Sequence, residues 1–90
     1  MELSDILSIN LRYYRKKYNL SQEKFAEVLG TSLSHLNKVE QKKIDVKLSS
    51  IKKYTEKIRQ YDKSLKITSN DLLIFYKDRE TSFNRIDEKK

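Results

Sequence analysis

Cysteine and proline are absent from the 90-residue chain, and glycine occurs only once, as Gly30. The absence of cysteine excludes disulfide bonds, thiol catalysis and cysteine-ligated zinc sites. Folds built from strands and tight turns use both proline and glycine, so their scarcity predicts an all-helical protein. No apolar run approaches the roughly eighteen residues of a membrane span, and no secretory leader is recognisable. We therefore expect a soluble, cytoplasmic protein with no membrane partner.

Positive charge is in excess and is unevenly distributed along the chain. There are 20 lysines and arginines against 13 acidic residues, for a formal net charge of +7. Residues 12–66 hold fifteen of the basic and six of the acidic residues, so this block carries a net charge of +9. Such a block predicts a polyanionic partner and favours nucleic acid over a membrane surface. A lysine-rich solvated surface would give the same composition.

The first half of the chain predicts three helices separated by short turns. A first helix is expected to be capped by Ser4 or Asp5, because apolar residues then recur at helical spacing. A second helix over 22–29 follows an N-cap at Ser21. Gly30 stands where the end of a helix favours the left-handed conformation, and a third short helix comes next.

The second half predicts a long fourth helix. Apolar residues lie three or four apart from Leu48 to Leu65, with lysines and an arginine between them. This pattern is typical of a helix with one buried face. We expect the helix to start near Lys47 and to continue through Leu65.

A fifth helix is expected after residues 68–71, which pair a threonine with an acid three residues later, as in a capping box. Five consecutive apolar residues follow: Leu72, Leu73, Ile74, Phe75 and Tyr76. They would surround a helix, so one side can pack on the domain and another on a second copy. The alternative is a β-hairpin that pairs 65–68 with 72–76. Residues 80–90 are charged and are expected to form a flexible tail beyond a single domain at 1–79.

A glycine turn between two short helices, with a small residue in the first, is typical of a helix-turn-helix. Ala26 lets the second helix cross closely, and Gly30, four residues later, lets the chain reverse direction. The chain resembles the Cro/C1-type (XRE-like) helix-turn-helix regulators of phages and bacteria. The resemblance is carried by four segments, at 11–15, 20–26, 29–32 and 36–40, and it extends to about residue 75.

This resemblance implies a fold and a function. The fold would be an all-α, compact, five-helix, lambda-repressor-like domain, with the helix-turn-helix in helices 2 and 3, an extended helix 4 and a C-terminal helix. The function would be sequence-specific binding of double-stranded DNA by a transcriptional regulator, with repression as the simplest mode. The protein would act as a homodimer, joined through the apolar residues at 72–76, and would need no cofactor or metal. A regulatory protein partner remains open.

The resemblance also assigns roles to individual residues. The positions that would read bases are Ser32, Leu33, Ser34, Asn37 and Lys38. The positions that would contact phosphates are Arg12, Ser21, Gln22, Lys42 and Lys43. Arg15 and Glu40 match a structural salt bridge, and Gly30 matches the turn. Gln41 and Lys42 stand where the family often has asparagine and glycine.

Two other classes of function are weighed against DNA binding. A helix-turn-helix fold can serve as a protein-interaction module, for example in an antitoxin or an anti-repressor. An enzymatic function is not expected, because the sequence shows no carboxylate pair, nucleophile–base set or phosphate-binding loop. His35 is the only histidine and has no metal-ligand spacing around it.

Overall fold

The computed structural model describes residues 2–74, which form four α-helices and one 3-10 helix. The elements in chain order are α1 (Leu3–Lys17), α2 (Gln22–Leu29), α3 (Leu33–Glu40), α4 (Leu48–Tyr61) and the 3-10 helix (Ser69–Leu73). No strand occurs within the described residues, which confirms the all-helical prediction and contradicts the hairpin alternative there. No helix among them is long and apolar enough to cross a bilayer. Phe75, Tyr76 and the predicted tail lie outside the described residues.

The first three helices all end on one residue in the left-handed conformation. These residues are Asn19, Gly30 and Lys42, with φ of 55°, 72° and 63°. In each case the next backbone N–H returns to a carbonyl oxygen five residues earlier, at 2.9–3.0 Å. The last carbonyl groups of each helix are thereby satisfied, and the chain can reverse direction within a few residues.

Side-chain caps fix where α2 and α3 begin. The Ser21 hydroxyl accepts from the backbone N–H of Lys24 at 3.1 Å, and the Ser32 hydroxyl accepts from that of His35 at 3.0 Å. The predicted cap of α1 at Ser4 or Asp5 was wrong. The helix begins at Leu3, and Asp5 lies within its first turn, where its carboxylate accepts from the backbone N–H of Glu2 at 3.0 Å.

Helix α4 starts after Lys47, as expected, but ends at Tyr61 and does not reach Leu65. The side chain of Asp62 accepts from both the backbone N–H and the hydroxyl of Ser64, at 3.1 and 2.6 Å, and also from the Tyr18 hydroxyl at 2.9 Å. These bonds lower the pKa of Asp62, and burial raises that of Tyr18. An aspartate that binds the backbone two residues later favours a turn over a continuing helix.

The predicted fifth helix is a 3-10 helix in the described residues, so the five-helix count is not confirmed. The capping box is present, because the Asp71 carboxylate accepts from the backbone N–H of Thr68 at 2.6 Å. Beyond it, the buried Asn10 amide of α1 donates to the carbonyl oxygens of Leu72 and Ile74, at 2.8 and 2.9 Å. An α-helix would need those carbonyl groups for its own hydrogen bonds.

The five elements pack in a closed ring around one core. Helix α1 contacts α3 and the 3-10 helix, α2 contacts α3 and α4, and α4 contacts the 3-10 helix. Tyr14, Phe25, Leu36 and Ile58 are among the fully buried side chains. Helix α3 packs mainly on α1 and α2, and its residues Leu33, Ser34 and Lys38 remain exposed.

Candidate nucleic-acid interface

Helices α2 and α3 form a tight pair, and both features that predicted the pair are in place. Ala26 is buried at 3% exposure, which lets the two helices approach closely. Gly30 adopts the left-handed conformation between them. Its carbonyl oxygen accepts from Lys53 Nζ at 2.7 Å, so α4 also holds the turn.

A buried ion pair joins α1 to the end of α3. Arg15 Nε and Nη2 donate to the two carboxylate oxygens of Glu40, at 2.9 and 3.0 Å. Both side chains are buried, with exposures of 11% for Arg15 and 3% for Glu40. A two-point contact between a guanidinium and a carboxylate fixes the relative orientation of the two helices as well as their separation.

Two more side chains of α1 meet the same end of α3. Ser8 donates its hydroxyl to the main-chain carbonyl oxygen of Glu40 at 2.7 Å, and Arg12 Nε lies 4.0 Å from Glu40 Oε1. Ser8, Arg12 and Arg15 are spaced at i, i+4 and i+7, so they share one face of α1. The half-buried Arg12 therefore brings a second cation to Glu40, which also binds Gln22 at the start of α2.

An amide relay, formed by Gln22, Asn37 and Gln41, extends from Glu40 across both helices. Gln22 Nε2 donates to Glu40 Oε1 at 3.0 Å, and Asn37 Nδ2 donates to Gln22 Oε1 at 3.2 Å. Gln41 Nε2 then donates to Asn37 Oδ1 at 2.7 Å. Gln22 and Asn37, predicted as phosphate and base contacts, are thus also linked to each other and hold α2 against α3.

The exposed face of α3 carries the predicted base-reading residues. Ser34 and Lys38 are exposed one turn apart, and Leu33 is 46% exposed although it is apolar. Ser32 uses its hydroxyl oxygen to cap α3, which leaves the hydroxyl hydrogen available as a donor. This face therefore offers hydroxyl and ammonium donors together with one apolar contact.

The predicted phosphate-binding residues lie beside the C-terminal end of α3, where Gln22 donates to Glu40. Ser21 and Gln22 stand at the start of α2, where free backbone N–H groups and the helix dipole favour an anion. Lys42 and Lys43 are exposed just beyond the end of α3. Lys42 Nζ also lies 4.0 Å from Asp5 Oδ1, a partly solvated pair of small energetic value.

Comparison with known proteins assigns the family. A family model described as helix-turn-helix matches residues 11–61, which is more than half of the chain. The chain belongs to this helix-turn-helix family and is of the Cro/C1 (XRE-like) type. The residues on which the resemblance rests lie within or close to the matched range.

Two similar proteins accompany the family match. The control protein C.SmaI of Serratia marcescens is 41% identical over 51 residues, which are 57% of this chain and 61% of that protein. The match thus spans about three fifths of that relative. The hypothetical transcription factor NHTF from Neisseria matches in structure with a TM-score of 0.71 at 25% identity, over 89% of this chain and 84% of that chain.

Gln41 is not among the predicted base-reading residues, but it shares a face of α3 with two of them, Ser34 and Lys38. Ser34, Lys38 and Gln41 are spaced at i, i+4 and i+7, so they lie within about 60° of one another around α3. All three are exposed. The helical spacing in the sequence is the signal that places Gln41 on this face, one to two turns after Lys38 and Ser34.

The left-handed conformation of Lys42 leads to a stability prediction. This conformation costs a lysine about 1 kcal/mol or more, whereas glycine adopts it freely. Lys42→Gly is therefore expected to raise the free energy of unfolding by up to about 1 kcal/mol, although it removes a cation and an Asp5 contact. Urea unfolding of Lys42→Gly and Lys42→Ala would check this. Equal stability of the two variants would contradict the strain at this position.

Proposed function

We propose that this chain is a sequence-specific regulator that binds double-stranded DNA with α3 in the major groove. One observation carries the proposal: α3 exposes Ser34 and Lys38 while its other faces are fixed to α1 and α2. A rigid helix with donors on its free face matches the way this motif reads base edges. The names of the two similar proteins, a control protein and a transcription factor, agree with a role in regulation.

The positions of the predicted phosphate-binding residues support the same orientation. The start of α2 and the two lysines after α3 both lie beside the C-terminal end of the reading face, where they can act as backbone-positioning groups. We propose that Arg12, Lys42 and Lys43 supply the charge that neutralises phosphates. We further propose that the protein acts in the cytoplasm and represses by occupying an operator, because occupancy alone is enough to exclude polymerase.

A homodimer completes the proposal, with an interface that combines the exposed part of the predicted run at 72–76 with a neighbouring apolar groove. Leu72 is fully buried in the core and cannot face a partner, whereas Ile74 is 43% exposed. Leu3 and Leu48, at 62% and 57% exposure, border an apolar groove that is also lined by Leu73. These exposed side chains add apolar surface for a second copy to that offered by Ile74.

Selection of bound sites from random duplexes, at several salt concentrations, tests the function. We expect an enriched site with inverted half-sites about one helical turn apart, because a two-fold dimer presents two copies of α3. Affinity should fall with salt with a log–log slope of about −3 for each monomer, one unit for each cationic phosphate contact. A flat salt response would instead favour a helix-turn-helix that binds another protein.

Lys38 and Lys43 separate base reading from phosphate contact. Lys38→Ala is expected to relax the preference at one base pair by about 1–3 kcal/mol, because a lysine donates to guanine O6 or N7. Lys43→Ala is expected to weaken all sequences alike and to leave the selected site unchanged. Site selection repeated with both variants distinguishes a base contact from a phosphate contact. Identical selected sites for the wild type and Lys38→Ala would remove Lys38 from the reading face.

A further inference from the structure

The polarity of the amide relay is determined by the carboxylate of Glu40. An ionised carboxylate can only accept hydrogen bonds, and Glu40 Oε1 receives one from Gln22 at 3.0 Å. The Gln22 side chain must therefore turn its NH₂ group toward Glu40 and its Oε1 toward α3. Rotating this amide by 180° would place two oxygen atoms against each other.

The same constraint passes to the next two amides. Because Gln22 Oε1 can only accept, Asn37 must direct its NH₂ group to it, at 3.2 Å. Asn37 Oδ1 then faces Gln41, which must direct its own NH₂ group inward, at 2.7 Å. One buried negative charge thus sets the orientation of three carboxamides over two helices.

The relay ends at an exposed group with defined chemistry. Gln41 uses one of its two N–H donors for Asn37, so one donor and the whole of Oε1 remain. No donor among the described residues is bonded to Gln41 Oε1. The side chain is exposed and lies on the face of α3 that carries Ser34 and Lys38. A solvent-facing acceptor with an adjacent donor is therefore held in place before any ligand arrives.

Only one base presents a donor next to an acceptor in the major groove. Adenine offers the N6 amino group beside the N7 acceptor, whereas guanine offers two acceptors, cytosine a donor only and thymine an acceptor with a methyl group. The groups left on Gln41 are the complement of the adenine edge. A side chain held in one orientation loses less conformational freedom on binding than a mobile one.

We propose that Gln41 is a further specificity-determining residue, which selects adenine through Oε1 and its remaining N–H, and that Asn37 is the residue that positions it. This proposal rests on the proposed function, because it requires α3 to enter the major groove. Gln41 lies about 10 Å along α3 from Ser34, so its base is up to about three pairs from the base that Ser34 reads.

Site selection with three variants tests the proposal, with Gln60→Ala on α4 as a matched exposed-glutamine control. Gln41→Ala should reduce the adenine preference at one base pair about tenfold or more, and should change affinity for unrelated duplexes less than twofold. Gln41→Glu should move the preference at that pair from adenine to cytosine, because a carboxylate can accept from N4 but cannot donate to N7. Gln60→Ala should select the wild-type site.

Asn37→Ala tests the positioning role, with thermal unfolding run in parallel. We expect Asn37→Ala to lower the adenine preference at the base pair that Gln41 reads. We expect the double variant Asn37→Ala/Gln41→Ala to show no further loss of preference at that base pair than Gln41→Ala alone. If Asn37→Ala left that preference intact, the positioning role would be overturned.

Failure of this inference is distinguishable from failure of the proposed function. A wild-type protein that selects no site at any salt concentration contradicts the proposed function itself. A clear wild-type site that Gln41→Ala leaves unchanged, weakens uniformly, or alters at a base other than adenine overturns the role of Gln41 alone. Uniform weakening would identify Gln41 as a phosphate contact.

Discussion

Glu40→Ala is expected to lower the free energy of unfolding by about 3–5 kcal/mol, because it leaves the buried Arg15 guanidinium without its two-point partner. Gln22 loses its acceptor at the same time. For a domain of this size, the melting temperature should fall by at least about 12 °C. Thermal unfolding followed by circular dichroism measures the change.

Two further variants make the result specific to the buried pair. Glu27→Ala is the matched control, because this exposed carboxylate lies 3.6 Å from Lys24 Nζ and should contribute at most about 1 kcal/mol. Replacing Arg15 and Glu40 together with apolar residues should recover much of the loss, since no unpaired charge then remains. Equal melting temperatures for Glu40→Ala and Glu27→Ala would show that the buried pair does not stabilise the fold.

Asn10→Leu is expected to lower the free energy of unfolding by about 2–5 kcal/mol. The Leu72 carbonyl oxygen would lose a buried donor and the Ile74 carbonyl oxygen a part-buried one, and a fully buried unsatisfied group costs about 1–3 kcal/mol. In Asn10→Leu, the backbone amides of the 3-10 helix should also exchange with solvent faster than in the wild type, and by a larger factor than the amides of α2. Urea unfolding and hydrogen exchange give the two readouts.

Asn70→Leu is the control for this prediction, because Asn70 is exposed on the same 3-10 helix. It should change stability by less than about 0.5 kcal/mol. If the two variants were equally stable, the hydrogen bonds from α1 would not be what holds the 3-10 helix on the domain.

The helix-turn-helix pair shows how far local sequence signals extend. The start and the end of α2 were predictable because Ser21 and Gly30 act on groups within a few residues of themselves. The burial of the apolar residues of α2 and α3 was predictable because these residues recur at helical spacing. The candidate reading face could be located from the same spacing, and the resemblance added the pairing of Arg15 with Glu40.

The departures from prediction arise where residues distant in sequence compete with local preference. The apolar spacing through Leu65 is that of a helix, yet Asp62 ends α4 with bonds to Ser64 and to Tyr18, 44 residues away. The run at 72–76 is rich in helix-compatible residues, yet Asn10, 62 residues away, takes the Leu72 carbonyl oxygen. Neither contact leaves a periodic signal in the sequence.

The sequence by itself determined the class of the fold, the helix-turn-helix and the basic character of the chain, because periodicity, caps and charge act locally or additively. The tertiary structure decided where α4 ends, which form the C-terminal helical segment takes, and that Lys42 adopts a glycine-like conformation. It also decided the orientation of the amide relay. That orientation depends on one buried carboxylate being within about 3 Å of a glutamine on another helix, and only the packing of α1, α2 and α3 brings these groups together.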